Sequence, residues 1–405
     1  MKILFVARWY PSPSHRYAGI FVREHAKAVR AAGHEVAVLH LPGEPGDGRK
    51  AWQIVEETDP DLTEGIPTYH VYCRSMSIPG PARLSKLGTN WRYAWSGYRA
   101  ARRLSKSGFR PDVVHAHVFT TGLPALLIAR LFRRPLVVTE HTTAFPRRTL
   151  GSGARRVAAF VYGRAARVLP VCAFLQRAIE AYEIEARFTI VPNAVDTALF
   201  FPDATASAGR RTGPRRFLFV GNLEEAHHKG FPEMVEALAM LGERRKDWRL
   251  EVVGDGPARP DYERLVAQAG LQGAIALRGR MAKLEIAALM RTSDLLVLPS
   301  RFENQPCAII EAMTSGLPVV STTVGAIPEM VGPDDGILVP PQDPAALADA
   351  LEQALARRDS FDRPAIAARA RARFSLEAVG ARLNAVYEEV TSPEAAKTPA
   401  APAPD

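Results

Sequence analysis

Asp294-Leu-Leu-Val-Leu-Pro-Ser300-Arg-Phe-Glu303-Asn-Gln-Pro306-Cys-Ala-Ile-Ile-Glu311-Ala-Met-Thr-Ser-Gly316-Leu-Pro-Val-Val-Ser321 is the stretch whose reading decides the fold. Leu295 to Pro299 is a short apolar run of the kind that fills a parallel strand buried on both faces. Pro306 suits the first turn of a helix through Ile309, Ile310 and Met313, Gly316 stops it, and Pro318 to Ser321 resumes as strand. Strand, turn, helix, strand puts Glu303 on the turn at a strand's carboxyl end, where open α/β sheets bind ligands. Backbone N–H groups near Asn304, Gln305 and Cys307 are expected to face an anion, because a helix start offers unpaired donors and the positive end of its dipole. Glu311, about a turn and a half into the helix, reaches a different part of the same ligand.

Outward from this corner the same alternation recurs. Strands are predicted at Ile3 to Ala7, Glu35 to Leu41, Asp112 to His117, Leu136 to Glu140 and Arg167 to Val171, with helices near Ile20 to Ala32, Asn90 to Lys106 and Thr121 to Phe132. A second set comprises Arg216 to Val220, Leu250 to Val253, Ile275 to Arg278, Leu295 to Pro299 and Pro318 to Ser321. Pro192 to Pro214 reads as the linker between them. The predicted organisation is an N-terminal domain over 1–200, a C-terminal domain over 201–374, a closing helix at about 375–390 that packs back on the N-terminal domain, and a disordered Pro/Ala-rich tail over 391–405.

At 405 residues the chain is long enough for two cores, and 47% hydrophobic with 23% charged content is that of a globular protein. No run approaches eighteen uncharged apolar residues, and Met1 to Val6 is too short for a signal-peptide core. Cys73, Cys172 and Cys307 have neither metal-ligand spacing nor the number for a disulfide framework, so a reduced, cytoplasmic location is expected. The net charge of +9 is unevenly spread: Trp91 to Pro170 carries 15 basic residues against Asp112 and Glu140, a local +13. This is either a solvated basic surface or one that meets anionic lipid headgroups or a phosphorylated acceptor. Trp91, Trp95 and Tyr98 share a helical face, led into by Leu84 and Leu87 and flanked by Arg92, Arg99, Arg103 and Lys106. Two readings stay open, packing on the sheet or reversible docking on an anionic membrane.

Glu303-x7-Glu311 with Gly316-Leu-Pro-Val-Val320 resembles the signature of family-four glycosyltransferases, a family of retaining enzymes with the GT-B fold. Tyr10-Pro11 and Ala18-Gly19-Ile20-Phe21 leading to Gly33-His34-Glu35-Val36, Pro192-Asn-Ala-Val-Asp196, Val253-Gly-Asp-Gly-Pro257 and Phe374-Ser-Leu-Glu377 through Tyr387 carry the likeness across nearly the whole chain. The resemblance implies two Rossmann-like doubly wound parallel-sheet domains facing a deep cleft. It implies Glu303 on the donor sugar, Glu311 on the ribose, Gly19 beside the donor phosphates, and Lys229 neutralising the diphosphate. Asn222, Asn304 and Gln305 complete the implied donor contacts. Asn222 stands where the family carries an arginine, for which His228 or Arg301 would substitute, and Gln305-Pro306-Cys307 replaces a frequent Phe-Gly, leaving the sugar open.

Val113-Val-His115-Ala-His117 places two histidines at a strand end, expected on opposite sides, His115 buried and hydrogen-bonded and His117 reaching the cleft. The resemblance implies His117 near the reacting sugar and acceptor, as a catalytic residue with Glu303 and Lys229. A metal is not expected, since His-x-His lacks a third ligand other than Glu140-His141. Asp59-Pro-Asp61 matches the Asp-x-Asp metal motif of another glycosyltransferase fold but reads as a turn. The implied activity is transfer of a hexosyl unit from a nucleotide-diphosphate sugar to a glycan or lipid-linked glycan, with no cofactor, no metal and no nucleic-acid partner. The alternatives are a non-catalytic sugar-nucleotide-binding protein and a glycosidase using Glu303 and Glu311 as its carboxylate pair.

Overall fold

The computed structural model describes residues 1–42, 52–73, 82–203, 213–357 and 360–393, without the side chains of 82–90. The expected tail over 391–405 falls almost wholly outside these residues, as do residues 204–212 of the expected linker and the side chains of Leu84 and Leu87. The chain divides into two compact units, Met1–Ala194 with Leu376–Asp405, and Val195–Ser375.

The first unit is built on a seven-stranded sheet, β3-β4-β2-β1-β5-β6-β7. In chain order β1 is Lys2–Ala7, β2 Glu35–His40, β3 Trp52–Glu56, β4 Thr68–Cys73, β5 Val113–His117, β6 Leu136–Glu140 and β7 Arg167–Pro170. All neighbours run parallel except β3, which is antiparallel to β4. Buried on both faces, β1, β5 and β6 are the near-continuous apolar runs that parallel strands require. The β3–β4 pair is absent from the sequence reading, because half-exposed Trp-Gln-Ile-Val-Glu offers neither a long apolar run nor strict alternation. Asp59 caps a short helix, Pro60–Thr63, by accepting from the Asp61 N–H, so Asp59-Pro-Asp61 is local backbone chemistry.

The helix Leu376–Thr391 belongs to this unit. Its Val379, Leu383, Val386 and Tyr387 enter one core with Val22, Ala26 and Val29 of the helix Ile20–Ala31. Gly380 makes that approach close: a Cβ there would lie 2.4 Å from the Ala28 carbonyl oxygen.

The second unit carries a six-stranded, all-parallel sheet, β10-β9-β8-β11-β12-β13. Its strands are β8 Arg215–Val220, β9 Trp248–Val253, β10 Ile275–Gly279, β11 Leu295–Leu298, β12 Val319–Thr322 and β13 Gly336–Val339. The edge strand β13 is a four-residue addition to the five expected. Val195 and Phe200 are buried in this unit's core, so the start of the expected linker is packed chain. The Val195 N–H donates to the Phe374 carbonyl at 2.8 Å, which brings the unit's two ends side by side. In each sheet the order reverses at the centre, between β1 and β5 and between β8 and β11, and the carboxyl ends there are the ligand-binding edge of a doubly wound fold.

Candidate active site

The quoted corner is built as strand, turn and helix, with the helix at Cys307–Thr314 and Gly316 in the left-handed region at φ 69°. Glu303 Oε1 accepts from Lys229 Nζ at 2.6 Å and from Ser300 Oγ at 2.8 Å. The two segments meet because Gly230, φ 67°, closes the loop after β8 onto β11: a Cβ there would fall 1.8 Å from the Pro299 carbonyl oxygen. Gly325 does the same for the loop after β12, where a Cβ would sit 2.0 Å from the Glu303 carbonyl oxygen. Asn304 and Gln305 are buried on this turn, and the Asn304 carbonyl accepts from the Ala326 N–H at 2.9 Å. Asn222 is exposed.

Two further ion pairs stand beside this corner. Lys283 Nζ lies 3.5 Å from Glu311 Oε1, and Arg301 Nε donates to Glu233 Oε1 at 2.6 Å. Arg301, expected as a substitute for the family's arginine, therefore already has a carboxylate on its fork. Lys229, Lys283 and Arg301 are each set against a carboxylate, partly buried, where charges attract more strongly than in water. Lys283 does not figure in the sequence reading, although it begins the helix Lys283–Thr292 just past the carboxyl end of β10, the position the strand-end rule marks.

The first unit's ligand-binding edge is different in kind. His115 and His117 lie on one face of β5, rings stacked with centroids 4.6 Å apart. The expectation of opposite sides is corrected by the strand's period: residues two apart share a face. His115 is fully bonded, Nδ1 to the Tyr387 hydroxyl at 2.6 Å and Nε2 to Thr139 Oγ1 at 2.7 Å. His117 Nδ1 pairs with His141 Nε2 at 3.2 Å, while its Nε2 is buried without a partner. His25 completes the group by donating Nε2–H to the Pro192 carbonyl at 2.9 Å, which leaves its Nδ1 as an unpartnered lone pair. Burial lowers the His25 pKa to about 4 and, with neighbouring imidazoles, holds those of His115, His117 and His141 well below the usual value. All four rings are neutral at pH 7.

His25, His117 and His141 bring ligand nitrogens within 4.8 Å of one another, so a third imidazole is present where the sequence reading sees only Glu140-His141. Two ligands at the usual 2.0–2.1 Å span at most about 4.2 Å, so the rings would have to move to share an ion. Glu140 is no candidate, since its carboxylate accepts from the N–H groups of Phe119, His141 and Thr142 and from the Tyr162 hydroxyl. Next to His117, Val118 sits at φ 67°, ψ 146°, a region a β-branched residue enters only at a cost of roughly 1–3 kcal/mol. Its backbone is held there by the Thr139 carbonyl at 2.8 Å and by Thr121, whose hydroxyl donates to the His117 and Val118 carbonyls.

Gly19 also has φ above zero, at 63°, and a Cβ there would fall 2.2 Å from the Trp9 carbonyl. Its need for glycine thus comes from the chain itself. On the helix Ala82–Lys106, Trp91 and Trp95 are 61% and 45% exposed, and Trp95 stacks on Tyr98 at 4.9 Å. Among the described residues no helix is long and apolar enough to cross a membrane.

Two doubly wound α/β domains with a ligand edge at each switch point are the architecture of GT-B glycosyltransferases, and comparison with known proteins gives the family. Residues 18–199 match Glycosyltransferase Family 4 and residues 214–357 match Glycosyl transferases group 1. The chain is 30% identical to an MMP alpha-(1->4)-mannosyltransferase of Mycolicibacterium hassiacum, over 93% of its own length and 96% of that protein's. It is 28% identical to a glycogen synthase of Mycobacterium tuberculosis, over 92% and 90%. The Anabaena HepE protein in complex with UDP superposes with a TM-score of 0.73 at 20% identity, covering 96% of this chain and all of that one. This chain belongs to the family-four glycosyltransferases.

Proposed function

We propose that this glycosyltransferase moves a hexosyl unit, with retention and without a metal or other cofactor, from a nucleoside-diphosphate sugar to a hydroxyl of a glycan or lipid-linked glycan. The observation that carries this reading is the Ser300–Glu303–Lys229 contact at a strand end, with Glu311 and Lys283 beside it. A sugar hydroxyl finds an acceptor in Glu303, a ribose finds one in Glu311, and the diphosphate finds Lys229 and the positive end of the helix that begins at Cys307. Negative charge gathers on the diphosphate as the glycosidic bond breaks, so a fixed ammonium there stabilises the transition state most. The UDP held by the Anabaena protein supports a donor of this class. The leaving phosphate then takes the acceptor's proton on the same face, and neutral His117 accepts a hydrogen bond from the acceptor hydroxyl. A glycosidase is disfavoured: its two carboxylates flank the bond to be cut across an open sugar cleft, and here each is paired with a lysine.

Mass spectrometry of products from a donor panel incubated with cell-envelope glycolipids tests this. One added hexose is expected, with the anomeric configuration of the donor preserved by NMR. Donor binding without product from any acceptor would favour the non-catalytic alternative.

The exposed Trp91 and Trp95 favour one extension, that the enzyme works in the cytoplasm and docks reversibly on the anionic membrane face. Rings that packed on the sheet would be buried; these two are half open, and Arg99 stacks on Trp52 at 4.6 Å nearby.

A further inference from the structure

At the carboxyl ends of β1 and β2 the first unit contains a cavity of about 710 Å³, lined in part by Arg8, Trp9, His15, His40, Gln53 and Tyr72. It is separate from the histidine cluster, and the β3–β4 hairpin forms one wall through Gln53, Val55 and Tyr72. Among its described lining residues Arg8 is the one permanent charge, and none is acidic. Arg8 is half-buried, and among the described residues it makes no ion pair. Three acids of this region are otherwise engaged. Asp59 and Asp61 meet Arg16 at 3.0 and 3.5 Å, and Glu57 meets His70 Nε2 at 3.0 Å.

The guanidinium is also pre-oriented. Tyr93, half-buried, donates its hydroxyl to the Leu41 carbonyl at 2.9 Å and hydrogen-bonds Arg8. His40 donates no charge to the cavity: burial and the neighbouring His70 lower its pKa to about 3, and its ring nitrogens are occupied by His70 at 2.8 Å and the Arg8 carbonyl at 3.2 Å. A partly desolvated arginine without a counter-ion is a place where an arriving oxyanion gains a charge-assisted, two-pronged hydrogen bond. Trp9, 38% exposed, adds an aromatic surface at the rim, of the kind sugar rings stack on.

We propose that this cavity reads an anionic substituent on the acceptor, a carboxylate or a phosphate ester held on Arg8 with the sugar ring against Trp9. The proposal rests on the transfer reading above and narrows the acceptor to a charged sugar. The test uses the full chain and three probes that differ only at C6: methyl glucoside, methyl glucuronide and methyl glucoside 6-phosphate. By calorimetry the charged probes are expected to bind at least about tenfold more tightly than the neutral one, and the tighter of the two identifies the oxyanion. Arg8→Gln should reduce the charged probes to the neutral level and Arg8→Lys should recover part, with nucleoside-diphosphate affinity unchanged in both variants. Equal binding of charged and neutral probes, an unchanged Arg8→Gln, or displacement of the charged probes by excess nucleoside diphosphate would overturn it. If nucleoside diphosphates fail to bind the native chain while the probes behave as expected, the transfer reading falls and the anion pocket stands.

Discussion

At the ligand edge of the second unit charges meet in pairs: Lys229 with Glu303, Lys283 with Glu311, Arg301 with Glu233. At the corresponding edge of the first unit four imidazoles lie together and burial keeps each uncharged. The two sheets share a strand logic, yet one edge presents fixed charge and the other neutral acceptors of hydrogen bonds. The difference suits the two halves of a transfer reaction. A diphosphate needs counter-charge, whereas an attacking hydroxyl needs a partner that neither repels it nor protonates it.

The largest expected effect breaks the neutral side. His117→Ala should lower turnover by roughly 10²- to 10⁴-fold while nucleoside-diphosphate affinity stays as it is. Steady-state assays paired with calorimetry decide, and near-normal turnover would move the acceptor contact to His141. On the charged side, Lys229→Ala and Glu311→Ala should each weaken nucleoside-diphosphate binding by about 1.5–3 kcal/mol with the fold intact. Unchanged titrations in both variants would remove the donor site from this corner.

Acid should tell the two edges apart as well. His25 has a folded pKa of about 4, below its unfolded value, so the unfolded chain binds the extra proton. The stability this contributes is fully present above about pH 6.5 and is lost as pH falls toward 4, with the other three rings acting in the same direction. Denaturant midpoints measured from pH 7 to 4 should therefore fall in step with protonation of the cluster, and His25→Gln should flatten part of that slope. A slope unaffected by the substitution would mean that His25 is not buried as a neutral base. The smallest effect concerns the basic surface. Sedimentation with liposomes should show binding to anionic vesicles at low salt and loss of it at high salt. Equal, weak binding to anionic and neutral vesicles would point to a soluble acceptor.

What could be read from the chain alone follows the same divide. The corner at Glu303 is legible because its strand, turn, helix and stop lie within thirty consecutive residues and each has a local signal, down to Gly316. Lys229 is legible through family likeness, but its contact with Glu303 is not, because it depends on Gly230 fitting against Pro299. The histidine cluster is tertiary: His25 comes from a helix, His117 and His141 from the ends of two strands, and the Tyr387 hydroxyl on His115 from 272 residues away. The β3–β4 hairpin escapes because its pattern is weak, and with it goes the wall of the Arg8 cavity.

The return helix sets a timetable for synthesis. Leu376–Thr391 supplies Val379, Leu383 and Tyr387 to the first unit's core, yet the 181 residues of Val195–Ser375 must leave the ribosome before it can appear. At roughly 5–20 residues per second, that is a wait of about 10–40 s. During it the apolar face of Ile20–Ala31 stands uncovered and His115 lacks its hydroxyl partner, so the half of the protein translated first is the half completed last.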